Sequence, residues 1–319
     1  MRSLYCFILL SLSAFAAASK EGKHWCYLSQ KCHDPHCQEP RQWDQMYEAC
    51  SGSGQSPINI LTRKVQHDWT LQPLRFREYS TRPDSKWSVE NNGHTVQVNL
   101  KGSAATIESG GLSGSYKAVQ FHFHWGNGDG AKSTSPGSEH SIDGERYAME
   151  LHIVHIKEEF PTIEAALANK GIAVLGFFIE AGQHNKNYEQ FIAKLSEVSF
   201  PGNKTEMSAL CLDSLIPNIE DLGSFYRYTG SLTTPGCNED VVWTLFEKPI
   251  QLGLDQIQAF WLRLYFGGTK DHWMVDNFRP VQPVGDRIVR KSDANTPSLP
   301  AKVLLLLPSA VYLVLCLIQ

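Results

Sequence analysis

The stretch Val119–Gly128, "VQFHFHWGNG", sets two histidines one residue apart among three aromatics and then stops at a Gly/Asn turn. A strand sends successive side chains to opposite faces, so Gln120, His122 and His124 share one face while Phe121, Phe123 and Trp125 share the other. The two histidines lie roughly 7 Å apart along the strand, close enough for both rings to converge on one ion. Taken alone, His-x-His describes a solvated polar strand face equally well, so the reading turns on a third donor.

That donor is sought in "AMELHIVHIK", Ala148–Lys157. Alternation places Glu150, His152, Val154 and Ile156 on one face and Met149, Leu151, Ile153 and His155 on the other. Glu150 decides between the histidines, because a carboxylate beside His152 can accept its second ring N–H and fix the tautomer of a metal-bound imidazole. Gln120 stands in the same relation to His122. His155 is then expected to be a packed histidine held by hydrogen bonds in the sheet. Three neutral imidazoles with no carboxylate or thiolate among the ligands suit Zn2+ and leave a fourth position open, which points to catalysis.

Outward from these strands, short alternating runs dominate: "WSVENNGHTVQVNL", "AATIES", "IAVLGFFIEAG" and "DVVWTLFEKPI". They are rich in Val, Ile and aromatics and are punctuated by Gly, Asn, Ser and Pro. Helical patterns are few: "PTIEAALANKG", "NYEQFIAKLSEV" and "GLDQIQAFWLRLYFGG". The expected fold is mainly β (α+β), one domain with surface helices.

The chain has 319 residues and a formal net charge of -4, with no polybasic run, which argues against nucleic acid as a partner. Both ends read as processing signals. Arg2, the apolar run Leu4–Leu12 and the small residues before Lys20 read as a secretory signal over residues 1–19. Small residues at Ser292, Asp293 and Ala294, a polar spacer and an apolar run from Val303 to Ile318 match a GPI-attachment signal over residues 291–319, removed after about Ser292. The expectation is an exported domain, residues 20–290, attached by lipid to the extracellular face of the plasma membrane. Setting aside Cys6 and Cys316 in the two signals leaves Cys26, Cys32, Cys37, Cys50, Cys211 and Cys237, an even set that suits disulfides in an exported chain. Asn203-Lys204-Thr205 is an N-glycosylation sequon, which implies an exposed loop.

Across roughly Trp25 to Arg290 the chain resembles the α-class carbonic anhydrases, and with its end signals and N-terminal cysteines it is most similar to their GPI-anchored, membrane-bound type-four forms. The matching stretches begin with "QSPINI" at Gln55, "NNGH" at Asn91, "QFHFHWG" at Gln120 and "GSEHSIDGERYAMELHIVH" at Gly137. They continue with "AVLGFFIEAG" at Ala173, "GSLTTPGC" at Gly230, "VVWTLF" at Val241 and "DNFRPVQP" at Asp276. The resemblance implies a central, mostly antiparallel twisted sheet, zinc at the base of a conical cleft, and reversible hydration of CO2 to bicarbonate and a proton by zinc-hydroxide attack.

It further implies roles for single residues. His122, His124 and His152 bind the metal, with Gln120 and Glu150 behind them. Thr233 is the gatekeeper that orients the nucleophile, and an ionised Glu139, able only to accept, takes the threonine's proton. Thr234 contacts bicarbonate. Val154, Val174, Leu232, Val241 and Trp243 form an apolar pocket for CO2. His94 shuttles the proton, a task suited to imidazole, with Tyr27, Asn92 and Gln97 along the water path. Cys50–Cys237 and Cys26–Cys37 match family bridges; Cys32 and Cys211 depart from the pattern and are expected to pair with each other. A bicarbonate or proton transporter is a conceivable partner on which the sequence is silent.

Two other readings compete. A cupin-like site of His122, His124 and Asp129 with a redox metal such as Fe2+ leaves Glu139 and Thr233 unexplained. A non-catalytic, anhydrase-like recognition ectodomain at the cell surface would tolerate loss of the ligands, gatekeeper or shuttle, all of which are present.

Overall fold

The computed structural model describes residues 24–31, 34, 36–128 and 135–292. The signal segment 1–19, Cys32, Asp129 and the segment 293–319 lie outside the described residues.

In chain order the strands are β1 (Asn59–Ile60), β2 (Gln66–His67), β3 (Leu74–Arg77), β4 (Lys86–Asn91), β5 (Val96–Asn99), β6 (Thr106–Ser109) and β7 (Tyr116–Trp125). They continue as β8 (Ser141–Ile142), β9 (Met149–Lys157), β10 (Ile172–Ala181), β11 (Lys204–Ser208), β12 (Phe225–Ser231), β13 (Glu239–Leu252) and β14 (Arg290–Lys291). Helices α1 (Ile163–Ala168), α2 (Glu189–Lys194) and α3 (Leu254–Arg263) fall inside the three helical patterns of the sequence. Thr162 starts α1, its hydroxyl accepting from the Ala165 N–H, which satisfies a donor that the first turn leaves unpaired.

One sheet takes twelve strands, in the path β11-β4-β5-β7-β9-β10-β13-β12-β14-β2, with β6 joining β3 to β7. Pairing is antiparallel except β10 with β13 and β14 with β2. The fold is therefore the mainly β, largely antiparallel one expected. Its centre is covered on both sides: every residue of β9 from Met149 to Ile156 is buried. One side carries the larger apolar cluster, with Phe121, Phe123, Leu151, Ile153, Phe177 and Phe260. A second cluster holds Val154, Val174, Val241 and Trp243.

A bulge between Ala118 and Gln120 sets the register so that His122 stands opposite His152 and His124 opposite Glu150. On the other flank of β9, Gly176 pairs with His152. A Cβ there would sit 2.4 Å from the Leu245 side chain and 3.3 Å from Glu150 Oε1, so glycine lets β10 and β13 close over the carboxylate.

Among the described residues there are two disulfides, Cys26–Cys37 and Cys50–Cys237. Cys211 is a free thiol among the described residues, and its expected partner Cys32 is outside them. Asn203 is exposed, as its sequon requires. The fold runs two residues past the expected boundary at Arg290: Lys291 is in β14, and Ser292 is buried, its N–H bonded to Phe225 O and its hydroxyl to Gly223 O. GPI attachment uses a residue's carboxyl carbon, so the bonded side chain of Ser292 does not itself occupy the linkage. No helix of the described residues is long and apolar enough to cross a membrane.

Candidate active site

Strands β7 and β9 bring His122, His124 and His152 together, with candidate ligand atoms all within 4.8 Å of one another. The ring centroids are 5.2 Å (His122–His124), 5.2 Å (His122–His152) and 4.7 Å (His124–His152) apart. Each imidazole has one nitrogen engaged on the side away from the others. His122 Nδ1 lies 2.8 Å from Gln120 Oε1, His124 Nδ1 2.7 Å from the Asn277 carbonyl, and His152 Nε2 2.6 Å from Glu150 Oε1. As N–H donors to these oxygens, those nitrogens leave His122 Nε2, His124 Nε2 and His152 Nδ1 with lone pairs. His124 Nε2 is buried with no hydrogen-bond partner, a costly arrangement that a metal ion relieves. Burial, the largest cause for each, pushes all three imidazoles below the usual histidine range, His124 to about 4. They are neutral at physiological pH, the state that ligates, so the donor set fits Zn2+.

Glu150 is fully buried and holds two imidazoles at once. Beyond His152, its Oε1 lies 2.7 Å from His140 Nδ1 and its Oε2 accepts from the His140 backbone N–H at 2.8 Å. Burial raises its pKa, but His140 and His152 outweigh that and hold the carboxyl well below the usual carboxylate range. From His140 the network continues through Tyr228 OH at 2.6 Å to Ser56 Oγ at 2.7 Å, which accepts from the Ser231 N–H at 3.0 Å. Ser231 ends β12, immediately before the Leu232-Thr233-Thr234 turn, so one chain of hydrogen bonds links His152 to the expected gatekeeper's turn.

Thr233 is buried and faces Glu139. The Glu139 Oε1 accepts from the Arg279 N–H at 2.8 Å, while Oε2 lies 3.4 Å from His124 Nε2 and has no hydrogen-bond partner. Burial lifts this carboxyl to about 7, against the lowering effects of His152, Arg279 and Thr233. A cation held by the histidines favours its ionised form. The Arg279 guanidinium bonds Gln55 Oε1 and the Ser56 carbonyl, each at 2.8 Å, tying this wall to the N-terminal segment.

Val154, Val174, Val241 and Trp243 belong to one apolar cluster and Leu232 packs against it, so all five expected pocket residues meet there. The Trp243 ring lies 4.8 Å from His152 and its Nε1 donates to Ser231 O. Thr234 O accepts from the Cys237 N–H at 2.8 Å, within the loop that Cys50–Cys237 staples.

The expected proton carrier, His94, and its expected neighbours lie near the N-terminal segment. His94 is stacked on Trp25 with ring centroids 3.6 Å apart, and Tyr27 approaches it edge-on at 6.2 Å. Its Nδ1 is buried without a partner, and burial, then the nearby His24, lowers its pKa to about 4. Against Trp25 the ring is neutral at physiological pH. Asn92 Oδ1 accepts from the N–H groups of His94 and Thr95, so its side chain fixes this turn. Gln97 pairs with His122 across β5 and β7 and donates to Asn99.

Four contributors escape a reading by strand period: His140, Asn277, Arg279 and Tyr228. His140 neighbours Glu139 in sequence, which hinted at a shared site; the others reach it only through long-range contacts. His155 is buried on the opposite face, bonded to Tyr79 OH at 2.6 Å and Ile153 O at 3.0 Å, as alternation predicted.

Residues 38–293 match the sequence profile of eukaryotic-type carbonic anhydrases. The chain belongs to this family. It is 44% identical to carbonic anhydrase 4 of Oryctolagus cuniculus over 92% of either chain. It is 40% identical to carbonic anhydrase 4 of Rattus norvegicus, over 90% of this chain and 91% of that one. It is 38% identical to carbonic anhydrase 15 of Mus musculus, over 91% and 88%. The carbonic anhydrase assignment makes this an enzyme acting on CO2 and bicarbonate, and it removes the cupin reading.

Proposed function

We propose that this carbonic anhydrase is zinc-dependent and works at the extracellular face of the plasma membrane, held there by a GPI lipid. The observation that carries the zinc reading is the trio His122, His124 and His152, each with its outer nitrogen hydrogen-bonded and its inner one directed to a common point. Zinc in such a site supplies nucleophilic oxygen at neutral pH by lowering the pKa of water to about 7, the value known for carbonic anhydrases.

The chain's own groups divide the remaining work. Ionised Glu139 would accept a hydrogen bond from the Thr233 hydroxyl, which would leave the Thr233 oxygen free to accept one in turn from the nucleophilic oxygen and orient it. Val154, Val174, Leu232, Val241 and Trp243 offer apolar CO2 a hydrophobic surface, and Thr234 contacts bicarbonate. His94, once turned from Trp25 toward solvent, regains an ordinary imidazole pKa and carries the proton away. The two disulfides, the exposed Asn203 sequon and the terminal signals support export. A transporter partner would benefit from bicarbonate or protons released at the membrane.

Stopped-flow CO2 hydration by the purified enzyme, beside His152→Ala and with zinc quantified in both, tests the mechanism. Rapid hydration with one zinc per chain, lost in the variant, is expected. A folded, zinc-free protein hydrating CO2 at the same rate would overturn it, and one that is inactive with zinc bound would favour surface recognition instead.

A further inference from the structure

Among the described residues, Trp69 is the most exposed large apolar side chain, 70% accessible, although tryptophan elsewhere in the molecule is mostly buried. It stands directly after edge strand β2, in a turn fixed by Asp68, whose carboxylate accepts from the Thr70 N–H at 3.0 Å and whose carbonyl accepts from the Leu71 N–H. The Asp68 N–H donates to the Lys291 carbonyl at 2.9 Å. Trp69 is thus one residue from a direct hydrogen bond to the residue preceding Ser292, the proposed site of lipid attachment.

We propose that Trp69 docks into the headgroup region of the bilayer and fixes how the anchored domain stands on the membrane. This rests on the GPI reading above. An indole combines an apolar body with one N–H, and tryptophan is favoured at membrane interfaces for that reason. With β14 bonded into the sheet through Ser292, only the phosphoethanolamine-glycan of the anchor separates the fold from the proposed lipid, so the surface beside Ser292 is the part of the domain held nearest the headgroups. Charges around it are mostly matched: Arg290 with Asp68 at 3.4 Å, Lys291 with Glu247 at 2.5 Å and Lys248 with Asp221 at 3.9 Å. Exposed Arg63 and Lys64 precede β2, with Arg63 in electrostatic reach of the exposed Asp143. The indole, rather than net charge, carries the contact, which predicts little dependence on anionic lipid or salt. Six strand spacings separate β2 from β7, about 29 Å along the sheet, so docking leaves the histidine site clear of lipid.

The full-length chain, produced in animal cells with its anchor, is reconstituted into phosphatidylcholine vesicles carrying a shallow spin-labelled lipid that quenches tryptophan fluorescence. Wild type is compared with Trp69→Phe and with Trp273→Phe. Trp273 is also exposed, but it pairs with Tyr265, whose carbonyl bonds Asn91 of β4 at the far end of the sheet. The expected result is a quenched component of emission that disappears in Trp69→Phe and persists in Trp273→Phe, at low and high salt alike, with CO2 hydration unchanged. Vesicle flotation, and release by a phosphatidylinositol-specific phospholipase, read the anchor separately. Flotation without a quenched Trp69 component, or equal quenching of Trp273, overturns the docking alone. Failure to float overturns the anchor reading and the docking with it.

Discussion

Replacing Glu150 by Gln keeps shape and one acceptor oxygen but removes the charge between two imidazoles. The carboxylate accepts at 2.6 Å from His152, at 2.7 Å from the His140 ring and at 2.8 Å from the His140 backbone N–H, with no exposure to water. A hydrogen bond to a charged group contributes about 1.5–3 kcal/mol and a neutral one about 0.5–1.5. The exchange at His152 therefore costs about 1–1.5 kcal/mol of ligand basicity, or roughly tenfold in zinc affinity, at the lower end of the 10–100-fold effects of such supporting groups. If the amide oxygen stays on the imidazoles, its NH2 faces the His140 N–H, and that buried donor loses its acceptor at a cost of about 1–3 kcal/mol. Competition with a chelator measures the first effect and calorimetry of the zinc-free protein the second. Zinc affinity equal to wild type, with stability alone reduced, would refute the claim that Glu150 acts on the metal through His152.

Opening Cys50–Cys237 by double replacement with Ser frees a loop of 187 residues, worth up to about 5 kcal/mol in the chain-entropy model; calorimetry should show the loss, and hydration should fall because the Thr233-Thr234 turn loses its staple. His155 has its pKa lowered by burial to about 3, against about 6.5 unfolded. The unfolded chain therefore takes up the proton first, and this contribution to stability, full above pH 6.5, is lost as pH falls toward 3. Between pH 6.5 and pH 4.5 the loss is about 2 kcal/mol, so denaturant titrations at those two pH values should differ by that much less in His155→Gln. Trp25→Ala removes the surface that buries His94, and its titration by NMR should move up from about 4 toward 6.5; a midpoint that stays near 4 would show that Trp25 does not hold it.

The local periodicity of two short stretches determined most of the site. Alternation along β7 and β9 put His122, His124, Glu150 and His152 on inward faces and His155 on the other, because the two-residue period is a property of extended backbone itself. The same alternation, with its Gly and Pro punctuation, set the fold class. What the sequence could not determine were partners brought in from far along the chain. The His124 N–H goes to Asn277, 153 residues away, the Glu139 carboxylate to the Arg279 N–H, 140 residues away, and Glu150 to His140 across a turn. Cross-strand register added the rest: a bulge at Ala118/Gln120 aligns His122 with His152, and Gly176 lets two strands close over a buried charge. The position of His94 on Trp25, and hence its neutral state, was also invisible in "NNGH", since burial and stacking belong to the neighbours a ring meets. Residue type and spacing fixed which groups could do the chemistry; tertiary packing decided which nitrogens face the point shared by the three histidines, which carboxylates stay charged and where His94 rests.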